Sequence, residues 1–252
     1  MSGHSKWSTI KFKKALKDAK RGKVFTRLIR EITVAARAGG GDPGSNSRLR
    51  LALDKAYAAN MTKDTVERAV KRGTGELEGV DYEEVTYEGY GPGGVAILVE
   101  TMTDNKVRTV AEIRHIFSKR GGNMGTAGSV AYQFKKQGLI TFPGDADEDR
   151  ILEAALEAGA EDVLNEGERI VVYTAATDLH AVAAALEAAG LMPEESEITM
   201  IPENTIEVSG EEAEKLLRLI EFLEENDDVQ NVYANYELSE AEMARLEEAA
   251  AS

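Results

Sequence analysis

Residues 138–201 read GLITFPGDADEDRILEAALEAGAEDVLNEGERIVVYTAATDLHAVAAALEAAGLMPEESEITMI. Gly138–Phe142 is strand-like, and a helix follows over about 147–159. Strands near 161–165 and 169–174, a helix over about 177–190 and a strand near 196–201 complete the run. The order is βαββαβ, the split-βαβ or ferredoxin-like arrangement.

Outward from this stretch the alternation of strand and helix continues. Val85–Tyr90 and Val95–Thr103 read as strands around the turn Gly91-Pro92-Gly93-Gly94. A helix is predicted near 106–120, its face carried by Val107, Val110, Ala111, Ile113 and Phe117. Val130–Phe134 reads as a strand, and 211–225 as a helix with Ala213, Leu216, Leu217, Ile220 and Leu223 at helical spacing. The pieces 95–134 and 205–237 supply βα-β and β-α-β halves. A discontinuous middle α/β domain (81–134 plus 204–238) is therefore expected, with a ferredoxin-like domain (135–203) inserted in it. Residues 239–252 read as an acidic, Ala-rich tail helix.

Residues 1–75 are different in kind. Over 23–38, Phe25, Leu28, Ile29, Ile32 and Ala36 recur at the spacing of one helix face, with Lys23, Arg27, Arg30 and Arg37 opposite. Val34 intrudes on the basic side. Gly39-Gly40-Gly41 and Asp42-Pro43 stop the helix. A second helix is expected from about Ser47 to Ala59, with Leu49, Leu53, Ala56 and Tyr57 inward. A third runs from a Thr62 cap to Gly73, burying Val66, Ala69 and Val70. The expected fold class is α+β with three domains: an N-terminal three-helix bundle and two ferredoxin-like α/β domains.

Composition narrows the chemistry. Of 252 residues, 42% are hydrophobic and 30% charged, ordinary values for a folded chain. No stretch approaches the roughly 20 apolar residues that span a bilayer, and no apolar signal-peptide core follows the first basic residues. Cysteine is absent and only three histidines occur, which argues against disulfides, thiolate chemistry, a metal site or a cofactor held by such ligands. A cytoplasmic, non-redox protein is expected. The net charge of −15 averages two opposite parts: residues 1–75 hold 18 Lys+Arg against 6 Asp+Glu, and residues 76–252 hold 12 against 39. A basic part seeking a polyanion, attached to an acidic body, fits that asymmetry. Two solvated surfaces, or an internal clamp of one part on the other, would fit it as well.

The first 23 residues, MSGHSKWSTIKFKKALKDAKRGK, carry eight lysines and arginines against Asp18 alone. Cations attract phosphate and release counterions, and the interleaved Trp7 and Phe12 offer stacking planes. The candidate nucleic-acid contacts are His4, Lys6, Trp7, Lys11, Phe12, Lys13, Lys14, Lys17, Lys20, Arg21, Lys23, Arg27, Arg30 and Arg37. A solvated amphipathic helix docking Trp7, Ile10, Phe12 and Leu16 on the bundle is the plainer alternative. A mitochondrial targeting peptide is another, given the Lys and Ser content.

The run Gly121-Gly122-Asn123-Met124-Gly125-Thr126-Ala127-Gly128-Ser129 leaves a helix and enters a strand. That is the reverse of a phosphate-binding loop, and it lacks Gly-Lys-Ser/Thr. It reads as a mobile connection or as a partner-contact finger with Lys119, Arg120 and Asn123 near its base and Met124 at its tip. No Gly-x-Ser-x-Gly elbow exists, and no nucleophile, base and orienting group can be connected, so no catalytic residue is assigned.

GHSKW at 3–7, DAKRGKVFTRLIREI at 18–32, GGGDPGSNSRLR at 39–50 and NMTKDTVERAVKRG at 60–73 closely resemble the YebC/PmpR family. EGYGPGGVAILVETMTDNK at 88–106 and GGNMGTAGSVAYQF at 121–134 continue the resemblance along nearly the whole chain. It implies a three-domain, non-enzymatic regulator of gene expression: a helical N-terminal domain and two α/β domains. The family is described as probable transcriptional regulators that bind DNA. It is related to a mitochondrial activator of cytochrome c oxidase translation and to ribosome-associated factors acting at proline-rich stretches. The implied partners are DNA or ribosomal RNA with the transcription machinery or the ribosome, and neither membrane nor metal. Because the family pattern starts at Gly3, a removable presequence is not expected. One departure is visible: the family commonly has His-Arg-Lys after Ile-Lys in its first helix, where this chain has Phe12-Lys13-Lys14. A small-molecule sensor using the ferredoxin-like domain is a rival that rests on fold analogy alone.

Overall fold

A computed structural model describes residues 23–251. Three helices open it: α1 (Val24–Gly39), α2 (Ser47–Ala58) and α3 (Lys63–Thr74). Their shared core is Ile32, Ala35, Ala36, Leu49, Ala52, Ala56, Met61, Val66 and Ala69, with Leu28, Ile29, Leu53 and Val70 packed on its margin. So many alanines bring the helix axes close. At Gly73 an added Cβ would meet the Thr33 carbonyl and lie 2.7 Å from Ala36 Cβ, so α1 and α3 touch backbone to backbone. Asn46 caps α2 by accepting from Leu49 N at 3.0 Å. Its amide donates to the Ala35 and Gly40 carbonyls, each at 2.8 Å, which locks the end of α1 to the start of α2.

Two sequence expectations fail here. Phe25 and Tyr57 are 46% and 48% exposed rather than inward, and Val34, which interrupted the basic side, is buried. Ile32 through Ala36 are all buried, so α1 is covered around much of its circumference. Its first turn runs beyond the core.

Next come strands β1 (Glu83–Tyr90) and β2 (Ala96–Thr103), helix α4 (Lys106–Lys119) and the two-residue strand β3 (Asn123–Met124). Helix α7 (Gly210–Glu225) and strand β9 (Val229–Ala234) rejoin them later in the chain. The sheet order is β3-β1-β2-β9. It begins with an antiparallel hairpin whose register runs from Glu83↔Thr103 to Tyr90↔Ala96. The chain order is thus ββαβαβ, and the expected second ferredoxin-like unit is corrected on this point. Helix α4 buries Thr109, Ile113 and Phe117. The expected face is also corrected, since Val107 is 79% exposed. Helices α4 and α7 meet at Gly122, where an added Cβ would lie 3.0 Å from both Phe117 Cδ1 and Leu219 Cδ2.

Strands β4 (Phe134–Pro143), β5 (Asp162–Asn165), β6 (Arg169–Ala175) and β7 (Glu195–Pro202) alternate with α5 (Glu148–Glu157) and α6 (Leu179–Ala188). Their antiparallel order, β5-β6-β4-β7, is the split-βαβ arrangement read from residues 138–201. The expected strand at Val130–Phe134 is instead a 3-10 turn at Ala131–Gln133. Phe134 pairs with Pro202, so the β4 ladder begins there and the preceding residues must turn into it. The short strands β8 (Ile206–Glu207) and β10 (Tyr236–Glu237) pair in parallel, and helix α8 (Glu240–Ala251) follows. Glu242 accepts from Gly210 N at 2.9 Å and pairs with Arg245 at 2.7 Å.

By backbone packing the described chain forms two compact units, one of residues 23–129 with 212–232 and one of 130–211 with 233–251. Among the described residues no helix is long and apolar enough to cross a membrane.

Candidate nucleic-acid interface

His4, Lys6, Trp7, Lys11, Phe12, Lys13, Lys14, Lys17, Lys20 and Arg21 lie outside the described residues. The four remaining candidates, on or next to α1, all have partners within their own unit. Lys23 donates to the Glu225 carbonyl and pairs with Asp227 at 2.8 Å. Arg27 donates to the Glu224 carbonyl. Both carbonyls belong to the last turn of α7, where unsatisfied C=O groups and the negative end of the helix dipole attract cations. Burial pushes the Arg27 pKa below arginine's usual value, against the opposing pull of Glu224 and Asp227.

Arg30 is the most deeply committed, with its side chain only 13% exposed. Its Nη1 donates to the carbonyls of Met102 (2.8 Å) and Asp227 (2.7 Å) and to Asp228 Oδ1 (3.0 Å), and its guanidinium lies 5.1 Å from the Tyr82 ring centre. Arg37 pairs with exposed Asp81 at 2.5 Å, a surface contact worth about 0–1 kcal/mol that phosphate would readily replace. The expected open basic stripe is therefore revised. Its Lys23/Arg27/Arg30 part is an internal clamp on residues 224–228.

Asp228 is the centre of that clamp. Besides Arg30, it accepts from Arg108 Nη2 and Thr109 Oγ1, both at 2.7 Å, and from Thr103 Oγ1 at 3.2 Å. A polar cleft of about 540 Å³ beside it is lined by Lys23, Arg30 and Arg108 as well as Asp104, Glu112 and Asp227. Opposite charges neutralise one another along its wall. A second arginine repeats the device: Arg48 bonds Glu31 at 2.7 and 3.2 Å and Glu84 at 3.1 and 2.6 Å, tying α1 and α2 to β1. These contacts join the helical bundle to the sheet that carries α4.

The glycine-rich run is also more built than expected. Met124 is not its tip: it is half-buried in β3, paired with Gly89. Beyond it, Gly125 N donates to the Glu88 carbonyl (2.8 Å) and Gly128 N to Glu88 Oε1 (2.7 Å). Glu88 is itself buried, so a carboxylate in the interior holds the loop closed. The exposed tip is Thr126–Gly128. Arg120 stacks on Phe222, 3.6 Å from the ring centre, while Lys119 and Asn123 are exposed. Met124→Asp is accordingly expected to destabilise the protein by about 1–3 kcal/mol, and Ala127→Asp by no more than about 0.5 kcal/mol. Thermal unfolding of the two variants measures the difference. Equal melting temperatures would return Met124 to the role of a free tip.

Lys55, Lys71 and Arg72 escaped the sequence assignment although all are exposed; Arg114, on the helix that leads into the glycine-rich run, is exposed as well. None has a side-chain hydrogen bond or ion pair among the described residues. The first three lie in the last turns of α2 and α3, where a cation also complements the helix dipole. Among the described residues no group of three or more acidic or histidine side chains is placed to hold a metal ion.

These features define an α+β protein whose basic helices are riveted by arginine to an acidic sheet domain. The sequence profile of the TACO1/YebC protein N-terminal domain matches residues 5–76, and that of the TACO1/YebC second and third domain matches residues 82–236. The chain belongs to the TACO1/YebC family. A relative from Acidithiobacillus ferrooxidans, named a probable transcriptional regulatory protein, is 90% identical over 98% of this chain and 99% of its own. One from Geobacter sulfurreducens with the same kind of name is 59% identical over 98% and 100%. The crystal structure of a conserved hypothetical protein from Aquifex aeolicus matches with a TM-score of 0.78 at 49% identity, covering 88% of this chain and 93% of that one.

Proposed function

We propose that this protein is a non-enzymatic regulator of gene expression that binds nucleic acid through its basic N-terminal domain. The observation that carries the reading is the charge segregation: 18 Lys+Arg against 6 Asp+Glu in residues 1–75, beside 12 against 39 in the rest. Relatives named as probable transcriptional regulatory proteins make DNA the first target to test. In this reading the domains are those expected from sequence, with residues 1–75 as the binding domain. The α/β domains position it, and the Thr126–Gly128 tip, with Lys119 and Asn123, contacts a partner.

The internal clamp shifts the expected weight of the contacts. Lys23, Arg27 and Arg30 already have carbonyl and carboxylate partners, so the cations from Lys6 to Arg21 supply most of the phosphate affinity. The interleaved Trp7 and Phe12 favour a second reading, in which irregular ribosomal RNA is bound and translation at proline-rich stalls is the process regulated.

With six to eight phosphate contacts, log K against log[salt] is expected to slope about −5 to −7 on duplex DNA and about −4 to −6 on single-stranded RNA. Fluorescence anisotropy between 50 and 200 mM salt measures it, and a flat response would sink the electrostatic account. Crosslinking in cells followed by sequencing of the bound nucleic acid separates the two targets. Promoter DNA supports transcription, and ribosomal RNA supports translation.

A further inference from the structure

Residues 76–252 hold only 12 Lys+Arg, yet Lys106, Arg108, Arg114, Lys119 and Arg120 fall within the span 106–120. Three of the five are spent internally. Lys106 pairs with Glu83, Arg108 with Asp104 and Asp228, and Arg120 lies on the Phe222 ring. Arg114 and Lys119 are exposed and, among the described residues, have no hydrogen bond or ion pair from their side chains. An acidic body offers many carboxylates to neutralise a cation, and these two have none.

Their placement on α4 is specific. Thr109, Ile113 and Phe117 point inward. At about 100° per residue, Arg114 and Lys119 stand roughly 140° apart, one on each flank of the outward face. Between them run Val107, Ala111, His115 and Ser118, all exposed, together with Arg108, which is held by Asp104 and Asp228. Glu112, which accepts from Asn226, lies just beyond Lys119. Val107 is 79% exposed, an apolar side chain left in water at the helix start. Small and mid-sized side chains along the crest let a partner approach the helix closely, while the flanking cations reach out on both sides.

We propose that this face of α4 is a second nucleic-acid contact, in which Arg114 and Lys119 bind phosphates on the two sides of a groove or loop and the Val107–Ala111–Ser118 crest lies between them. The inference rests on the nucleic-acid reading above and extends it from the N-terminal domain to the sheet domain. Charge complementarity selects the occupant, because an unpaired cation pair in an acidic body attracts a polyanion and repels little else. The overall binding is then two-point, and the clamp at Asp228 ties α1, the helix that follows the basic segment, to α4.

The test uses the full-length chain with Arg114→Glu and Lys119→Glu together, and Arg114→Gln with Lys119→Gln as the milder pair. Lys136→Glu with Arg218→Glu, at exposed positions elsewhere, makes the same change in net charge. The probes are a 30-nucleotide mixed-sequence RNA and a 30-base-pair DNA duplex, titrated by anisotropy from 50 to 200 mM salt. The α4 reversal is expected to weaken binding at least fivefold at 100 mM salt and to make the duplex slope shallower by about 2, the loss of two phosphate contacts. The glutamine pair should fall between it and the parent, and the control should stay within about twofold. If the reversal behaves like the control, or the glutamine pair like the parent, α4 is no contact and the N-terminal reading stands alone. If the parent protein binds neither probe, the nucleic-acid reading itself fails. Capture of an acidic protein by the parent, lost in the reversal without change in nucleic-acid affinity, would overturn the proposal in favour of a protein partner.

Discussion

Removal of residues 2–23 is expected to lower nucleic-acid affinity at least tenfold near physiological salt while leaving the helical content of 24–74 intact. The deleted segment carries eight cations and one anion together with Trp7 and Phe12, so several phosphate contacts and two stacking planes go with it. The bundle should survive, because its core is built from Ile32, Leu49, Ala56, Val66 and their neighbours, with Leu28 and Ile29 the first α1 residues packed against it. Lys23 is lost too, but its pair with Asp227 is exposed on both sides and is worth about 0–1 kcal/mol. A second variant, Trp7→Ala with Phe12→Ala, keeps every cation. It should retain the salt slope and lose about 1–3 kcal/mol of binding per stacked base. Circular dichroism checks the fold, and anisotropy against salt checks the binding. Unchanged affinity after the deletion would make the segment a bystander and move the site to Lys55, Lys71, Arg72 and the outward face of α4.

How far the sequence reached can be judged residue by residue. Residues 138–201 were legible because each strand and helix is long enough to show its period, and the βαββαβ order follows from counting them. The bundle was legible for the same reason, but periodicity identifies a face and not where along the axis the core ends, hence Phe25 and Tyr57. On α4 the buried face was displaced by Thr109, whose hydroxyl is held by Asp228 at 2.7 Å and Thr103 at 2.7 Å. A polar residue buried for its hydrogen bonds is invisible to a count of apolar positions. Strand β3 spans two residues, too few to alternate. The clamp was legible only as an unresolved alternative. Arg30 and Asp228 are 198 positions apart, and a cation on a basic helix looks the same in sequence whether its partner is phosphate or a distant carboxylate.

Asp228→Ala is expected to cost up to about 3–5 kcal/mol, the size of effect seen when one partner of a buried ion pair is removed. The partner most affected is Arg30, which loses this carboxylate and keeps the Met102 and Asp227 carbonyls, whereas Arg108 is 43% exposed and keeps Asp104 at 2.8 Å. Thr103 and Thr109 lose an acceptor as well. Arg30→Ala should cost less, since Asp228 retains Arg108 and both threonines. The double variant should cost clearly less than the two losses together, by about 0.5–3 kcal/mol of coupling. Hydrogen exchange of the α1 and β9 amides in the four proteins measures this without requiring the whole chain to unfold as one step. Additive losses would show that Arg30 and Asp228 act separately. The same node predicts an acid limit. Burial works against the Asp228 charge, but hydrogen bonds from Arg108, Thr109 and Arg30 outweigh it and hold the pKa below the ordinary aspartate value. A carboxylate depressed on folding stabilises the native state fully above its unfolded pKa of about 3.9 and loses that contribution as pH falls through the folded value. Exchange protection of α1 should therefore be steady from pH 7 to about 5 and decline below about 4, after correction for the intrinsic exchange rate. In Asp228→Asn the protection should be lower at neutral pH and the decline smaller, because an amide keeps the shape but turns one acceptor into a donor facing Arg30 or Arg108, and has no proton to take up.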